Sequence, residues 1–172
     1  MVYDIVTIPD PVLKAIASPV ENVDDALRRQ MDGMLDAMYG AQGIGLAANQ
    51  VGLLNRVLVM DVEQREGGTT RRPVFMANPE IVSVSEEKAL YEEGCLSIPG
   101  QYAEIERPAS VRVRYLDYDG RKQEMLAERM MARCVQHEID HLNGVLFIDY
   151  LSSLKRNMIL RKMEKAKKEE GF

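Results

Sequence analysis

The short segment HEIDH, residues 137–141, contains residue types that bind and use a metal ion. The chain has only two histidines, His137 and His141, and both lie in this segment. On a helix, a spacing of four places both side chains on one face, so two imidazole nitrogens can converge on one ion. Glu138 lies one position round the helix, where it can reach a water beside the ion without binding the metal itself. The segment predicts a mononuclear metal hydrolase site.

A surface helix that happens to carry two histidines is the simpler alternative. Met130 and Cys134 continue the face of His137 and His141 toward the N-terminus, so this face is predicted to be buried. Two buried imidazoles without a partner would be costly. The pattern therefore favours metal binding.

A hydrolytic metal centre usually has three protein ligands and one open position, so a third ligand is needed. Cys134 is one candidate, although a lone cysteine on a helix is typical of a small core residue. Glu164 follows His141 by 23 residues, a spacing that some zinc peptidases use, but it stands among lysines. Cys95 lies in EEGCLSIPG, which indicates irregular chain where Gly94 permits close backbone approach.

The segment GIGLAANQ, residues 43–50, is rich in small residues. Gly43, Gly45 and Ala48 match a dinucleotide fingerprint, but that fingerprint needs a strand before it and a helix after it, and here the order is reversed. The glycines indicate either a backbone that approaches a ligand closely or a tight turn with small-residue packing. Gln50 adds a neutral amide that can stabilise an oxyanion.

Taken together, GIGLAANQ, EGCLS and QHEIDH resemble, in order and separation, the three signature motifs of the peptide deformylases. The resemblance extends from PDPVLK near the N-terminus to the last predicted helix, and the extended C-terminal helix is similar to that of bacterial members. This family removes the formyl group from N-formylmethionine at the start of new bacterial proteins. The resemblance implies a monomeric, cytoplasmic hydrolase of protein biosynthesis and N-terminal processing, which acts on formylmethionyl nascent peptides.

The resemblance also implies the metal ligands and the chemistry. Cys95, His137 and His141 would bind one divalent ion, Fe²⁺ by family resemblance with Zn²⁺, Ni²⁺ or Co²⁺ as substitutes, and a water would take the fourth position. Glu138 would act as general acid/base, because it can take the proton from the water that attacks the formyl carbon and return it to the amine.

The remaining site residues follow from the same resemblance. The Gln50 side chain and the backbone N–H of Leu96 would hold the oxyanion, and an ion pair between Glu93 and Arg107 would orient EGCLS. Tyr102 stands where some members have an arginine, and Asn49 where threonine or proline is frequent. The substrate-binding residues implied by the resemblance are Ile44, Gly45, Glu93, Gly94, Met130 and Cys134.

Two other functions fit part of the pattern. A zinc endopeptidase would use HEIDH with Glu164 as its third ligand. A metal-stapled binding module or an inactive relative would need no general base, and a structural zinc site normally has four protein ligands, whereas three are found here.

Length, net charge and cysteine count limit the class of protein in which these motifs occur. The chain has 172 residues and a net charge of −5, which fits one catalytic domain over residues 1–172 and gives no general case for nucleic acid or a membrane surface. Two cysteines are too few for a disulfide-stapled domain, which favours a reducing, cytoplasmic setting. We expect no secretory signal and no membrane span.

Several elements can be predicted around the motifs. A helix capped by Asn22 carries an apolar stripe and ends at Gly40, a second helix covers about Glu128 to Leu142, and a third begins at Ser152 or Ser153. The predicted stripe consists of Val23, Leu27, Met31, Met34, Leu35 and Met38. The predicted strands are Val57–Met60, Ile81–Val84 and 110–118, the last closed by a turn at Asp119-Gly120, and an exposed loop is predicted over 65–72.

These elements predict an α+β fold, and the resemblance implies small mixed or antiparallel sheets around a central metal-binding helix, with a C-terminal helix. Residues 151–172, the C-terminal helix and basic tail, carry a net charge of +4 on a body of −9. Leu151, Leu154, Met158 and Met163 are expected to face the body. The basic residues form either a solvated face or a surface that docks the ribosome.

Overall fold

The computed structural model describes residues 3–63 and 70–169. Within them, the helices are α1 (Asp25–Gly40), α2 (Arg129–Leu142) and α3 (Ser153–Glu169). The strands of these ranges form two antiparallel sheets. The predicted α+β fold with antiparallel sheets and a C-terminal helix is confirmed. No described helix has the length and apolar character needed to cross a bilayer.

The larger sheet has five strands in the order β1-β2-β3-β6-β7, and the smaller sheet pairs β4 with β5. The strands, in chain order, are β1 (Gly45–Ala47), β2 (Val57–Met60), β3 (Val74–Val84), β4 (Lys88–Cys95), β5 (Ile98–Pro108), β6 (Ser110–Leu116) and β7 (Lys122–Glu128).

Helix α1 begins later than the sequence suggests. Its N-cap is Asp24 instead of Asn22, because the Asp24 carboxylate accepts a 2.8 Å hydrogen bond from the backbone N–H of Leu27. The predicted stripe packs mainly as expected: Met31 and Met38 are fully buried and join the core cluster that contains alternate residues of β2. Helix α1 therefore covers one face of the large sheet.

Strand β3 is longer than the predicted strand at Ile81–Val84. Its first part pairs with β2 and its second with β6, and the pairing shifts register between Ala77 and Glu80. Asn78 adopts a positive φ of 50° inside this irregularity and Pro79 follows it, so the local pattern hides the strand. The hairpin that joins β6 and β7 is confirmed, with Gly120 in the left-handed region.

The hairpin of β4 and β5 is the largest correction, because EEGCLSIPG is not irregular chain. Cys95 is the last residue of β4 and pairs with Ile98, so Leu96 and Ser97 form the turn between the strands. A register shift between Gly94 and Cys95 interrupts the alternation and conceals the hairpin in the sequence.

The predicted inner face of α3 is wrong for two residues. Leu154 is 68% exposed and Met158 is 46% exposed, whereas Ile159 and Met163 are buried. The predicted apolar face was counted from Leu151. Because Leu151 precedes α3 and is extended, its position does not determine which side of the helix faces the body. Most of the predicted loop over 65–72 lies outside the described residues.

Removing the N-cap of α1 should destabilise the protein measurably. Replacement of Asp24 by alanine leaves the Leu27 N–H without its acceptor, and we expect a loss of about 0.5–2 kcal/mol in the free energy of unfolding. Urea denaturation of Asp24→Ala and Asn22→Ala would measure this. If Asn22→Ala causes the larger loss, Asp24 is not the cap.

Candidate metal centre

Helix α2 supplies three of the functional side chains from one buried surface. His137, Glu138 and His141 are 9%, 4% and 1% exposed. The helix packs against β1 and β2, and its apolar residues belong to the same core cluster as β2 and β6. Polar side chains therefore face the protein interior, where each needs a partner.

The end of β4 brings Cys95 to these histidines. The Cys95 Sγ lies 3.2 Å from the Nε2 atom of His141, and the two Nε2 atoms of His137 and His141 are also 3.2 Å apart. Bond lengths of about 2.0–2.3 Å in a tetrahedral site would separate neighbouring ligand atoms by roughly 3.3–3.6 Å. Among the described residues, these three form the group that can hold a metal ion. One thiolate and two imidazoles fit a borderline-soft divalent cation.

The orientation of His137 is fixed by a buried carboxylate. Its Nδ1 atom donates a 2.9 Å hydrogen bond to Oε1 of Glu93. Because Nδ1 is bound to Glu93, Nε2 is the ring nitrogen that faces His141 and that a metal ion could occupy. Burial would lower the pKa of His137, but the negative groups around it, Glu138 first, raise it well above its ordinary value. The same negative field would stabilise a bound cation.

His141 shows the opposite behaviour. Burial, followed by the nearby charges of His137 and Arg107, lowers the pKa of His141 well below its ordinary value. The ring is therefore neutral, which is the form that binds a metal. Its Nδ1 atom is buried and has no hydrogen-bond partner among the described residues.

An ion-pair network supports Glu93. Arg107 of β5 makes a two-point contact with its carboxylate, at 2.5 and 3.0 Å, and also donates to Asp140 of α2 at 2.9 Å. Burial alone would raise the pKa of Glu93, but the hydrogen bonds from His137 and Arg107 lower it. Glu93 is therefore ionised. The predicted pairing of Glu93 with Arg107 is present in the structure.

Glu138 has the environment of a group that transfers protons. Burial raises its pKa to about 7, against the opposing charge of His137. Its Oε1 atom is buried without a hydrogen-bond partner among the described residues. A carboxyl group with a pKa near neutrality can take a proton and return it.

Strand β1 lies directly against these side chains. A Cβ atom added at Gly45 would lie 2.5 Å from the Glu138 carboxylate and 2.7 Å from the Cys134 sulfur. A Cβ added at Gly43 would lie 2.6 Å from a Leu96 methyl group. The two glycines therefore allow the backbone to pack closely against side chains of the site.

An open cavity of ≈390 Å³ adjoins the metal ligands. Its lining includes Ile44, Gln50, Gly94 and Leu96, so the structure brings these predicted residues to one place. The Gln50 Nε2 atom lies 3.6 Å from Cys95 Sγ. The predicted residues that also line the cavity are Gly45, Glu93, Cys95, Cys134, His137 and Glu138.

Three residues considered from the sequence lie outside the metal-binding group. Met130 does not line this cavity and packs against the apolar core instead. Glu164, the alternative third ligand, is 70% exposed at its side chain and lies 3.8 Å from Lys168. Cys134 Sγ contacts the carbonyl oxygen of Ile44 instead of the ligand group, and burial raises its thiol pKa well above the ordinary value. The endopeptidase alternative is therefore not supported.

Sequence reasoning missed two residues of the site. Arg133 lines the cavity, and its guanidinium lies 5.0 Å from the ring centroid of Tyr91. Its position four residues before His137 could have identified it. Ser97 is completely buried and accepts a 3.1 Å hydrogen bond from Gln50. Its place in a turn gave no sign of burial.

The comparisons with known proteins agree with one another. Residues 2–157 match the family described as polypeptide deformylase. The chain is 53% identical to a peptide deformylase of Rhizobium meliloti over 97% of this chain and 95% of the relative, and 55% identical to one of Mesorhizobium japonicum over 97% and 94%. The fold superposes on a crystal structure of peptide deformylase from Ehrlichia chaffeensis with a TM-score of 0.94, 42% identity and full coverage of both chains.

A methyl group at Gly45 should disturb the site more than the fold. We expect Gly45→Ala to displace Glu138 or Cys134 and to lower hydrolytic turnover by at least about tenfold, since small misplacements of reacting groups are costly. Gly40→Ala is the matched control, because a Cβ there meets no atom within 4 Å. Turnover and thermal unfolding of both variants would test this. Unchanged turnover in Gly45→Ala would contradict the close approach.

Proposed function

The chain belongs to the polypeptide deformylase family, and on that premise we propose that it removes the N-formyl group from the N-terminal formylmethionine of newly synthesised polypeptides. The observation that carries the proposal is the convergence of Cys95, His137 and His141 beside a buried Glu138 with a pKa of about 7. This combination places a metal-binding group next to a proton-transfer group, as hydrolysis of an amide requires.

Cys95, His137 and His141 would hold one divalent cation through Sγ and the two Nε2 atoms. We propose Fe²⁺ by family likeness, with Zn²⁺, Ni²⁺ or Co²⁺ as substitutes, because the donor set suits all four. When bound, the ion polarises the formyl carbonyl and lowers the pKa of a water molecule. A thiolate and two neutral imidazoles leave a net charge of +1 at the centre.

Glu138 would serve as general base and then as general acid. Its carboxylate accepts a proton from the water that attacks the formyl carbon, and it returns that proton to the nitrogen as the C–N bond breaks. The products are formate and a free N-terminal amine. The raised pKa keeps the two protonation states close in energy at neutral pH, so both transfers are accessible.

Gln50 and Leu96 would stabilise the negative charge that develops on the formyl oxygen. The Gln50 amide lies beside Cys95 and the Leu96 backbone N–H is in the following turn, so both donors can be aimed at an oxygen near the metal ligands. Gly94 and the backbone of Ile44 and Gly45 would pair with the substrate main chain.

The methionine side chain would occupy the part of the cavity near Glu93 and Cys134, with Arg133 in the wall where Met130 was expected. A formyl carbon carries only hydrogen, whereas an acetyl methyl group would have to fit beside Gln50 and Leu96. We therefore expect formyl-Met peptides to react and acetyl-Met peptides to be far poorer substrates.

Turnover of formyl-Met-Ala, with metal content measured on the same sample, tests the function. We expect Glu138→Gln to retain the metal and to lose roughly 10²–10⁴-fold in kcat. We expect Cys95→Ala to lose most of the metal, because a ligand is missing. Glu124→Gln is the control, because it makes the same exchange of glutamate for glutamine at an exposed residue of β7.

Three results would each contradict a different part of the proposed function. Loss of the metal in Glu138→Gln would make Glu138 a ligand instead of the base. Full metal content in Cys95→Ala would exclude the ligand set. Comparable rates on formyl-Met-Ala and acetyl-Met-Ala would indicate a general amidase.

We also propose that α3 docks the ribosome, so that the enzyme meets formylated N-termini as they emerge. Leu154 and Met158 are exposed on the helix, together with basic residues that include Arg161 and Lys165. The apolar residues and the positive charge form a surface that an RNA-rich particle can bind, and such binding weakens as salt displaces the electrostatic contacts.

Ribosome co-sedimentation at low and high salt tests docking. Truncation of α3 would remove the buried Ile159 and Met163, so charge reversal is the better change. We expect Arg161→Glu, Lys165→Glu and Lys168→Glu together to reduce low-salt binding strongly, with peptide turnover unchanged. The same reversal at Arg114, Arg121 and Lys122 is the control. If the two variants co-sediment with ribosomes equally, α3 does not dock the ribosome and its basic residues form a solvated face.

A further inference from the structure

An N-terminal segment that contains Val6 and Ile8 connects the short 3-10 helix that carries Gln50 with the Leu96-Ser97 turn. The backbone N–H of Val6 donates to the carbonyl oxygen of Gln50 at 2.7 Å, and the N–H of Ile8 donates to the carbonyl oxygen of Ser97 at 3.0 Å. The segment therefore fixes the separation of Gln50 from the Leu96-Ser97 turn.

The orientation of the Gln50 amide is determined by a backbone donor. The N–H of Ala47 donates to Gln50 Oε1 at 3.0 Å. A backbone N–H can only donate, so the acceptor end of the amide is identified and a flipped amide would place two donors against each other. The Nε2 atom, with its two hydrogens, therefore points toward Ser97 and Cys95.

Ser97 accepts a hydrogen bond from one of these two N–H groups. Its Oγ accepts from Gln50 Nε2 at 3.1 Å, and the Ser97 side chain is completely buried. Nε2 donates the second hydrogen to Cys95 Sγ, at an Nε2–Sγ distance of 3.6 Å. Because the Gln50 amide is planar and is bound at both its oxygen and one hydrogen, it cannot rotate about its side-chain bond. The direction of its second N–H is therefore determined.

We propose that Ser97 is a positioning residue, which aims the Gln50 amide toward the Cys95 side of the site, where the oxyanion is proposed to form, and that the N–H groups of Val6 and Ile8 hold the Ser97 turn in register with Gln50. The proposal rests on the proposed function, in which Gln50 stabilises the transition state. A donor that is already aimed costs no reorganisation when charge develops, so the effect of Ser97 passes through Gln50 to the rate of the chemical step.

A double-mutant cycle separates this role from general structural support. We expect Ser97→Ala to lower kcat on formyl-Met-Ala by roughly tenfold, less than the ~10²–10³-fold expected when an oxyanion donor is removed, with KM within about twofold. In a Gln50→Ala background, Ser97→Ala should have no further effect, because the amide that it positions is gone. Ser85→Ala removes a hydrogen-bonded hydroxyl in the β3–β4 turn and is the control.

Two outcomes would overturn the proposal. An equal fold-loss from Ser97→Ala in both backgrounds would show that Ser97 acts independently of Gln50. An unchanged kcat in Ser97→Ala would show that the hydroxyl does not position the amide. If Ser97→Ala does not fold, Ser97→Thr and Ser97→Val are compared, because they have similar shape and only threonine keeps the hydroxyl; the proposal then requires the higher kcat in Ser97→Thr.

A measurement without turnover distinguishes failure of this proposal from failure of the proposed function. In ¹⁵N-labelled protein, the Gln50 side-chain N–H resonances should be well dispersed and should collapse toward the free-amide position in Ser97→Ala, with metal content and thermal unfolding unchanged. If the resonances collapse in Ser97→Ala but the wild-type protein does not deformylate, the proposed function alone is refuted. Unshifted resonances in an active enzyme would refute the positioning role alone.

Discussion

One buried carboxylate determines how the two parts of the metal centre meet. Glu93 on β4 accepts hydrogen bonds from Arg107 on β5 and from His137 on α2, so it joins the small sheet to the central helix. Cys95 lies two residues farther along β4, and its sulfur therefore reaches the histidines in a fixed position. Breaking a buried ion pair by removing one partner costs about 3–5 kcal/mol. The same contact orients His137 and stabilises the fold, so binding geometry and stability are coupled here.

Close approach of backbone to side chain is the second constraint, and it explains why small residues cluster in GIGLAANQ. Strand β1 passes directly against Glu138 and Cys134, and only a residue without Cβ fits at Gly45. The neighbouring carbonyl oxygen of Ile44 then accepts hydrogen bonds from both the Cys134 thiol and the backbone N–H of Asp61. The segment thus forms one wall of the site from backbone atoms, while Gln50 at its end contributes the side chain.

The sequence predicted the fold class and the members of the metal-binding group, but not the bounds of every strand. The ligating histidines and Glu138 could be found because helical spacing is local and the chain has no other histidine. The β4–β5 hairpin could not be found, since the register shift at Gly94 breaks the alternation by which strands are identified. Met130 was expected in the pocket, but it packs against the apolar core one turn before Cys134, and Arg133 lines the cavity instead. Ser97 has no signal of its own, because its burial depends on the N-terminal segment, which is distant in sequence.

The C-terminal helix belongs to the support of the metal centre as well as to the surface. Ile159 and Met163 pack in one apolar cluster with Phe147, and Cys95 lies against the same cluster. The Phe147 ring in turn stacks on His137, with centroids 6.3 Å apart. The apolar cluster that α3 joins therefore contacts His137 through Phe147 and also packs against Cys95. A change on the inner face of α3 is expected to alter the metal centre, whereas a change on its outer face alters only what the helix meets in solution. The two faces can therefore be varied separately.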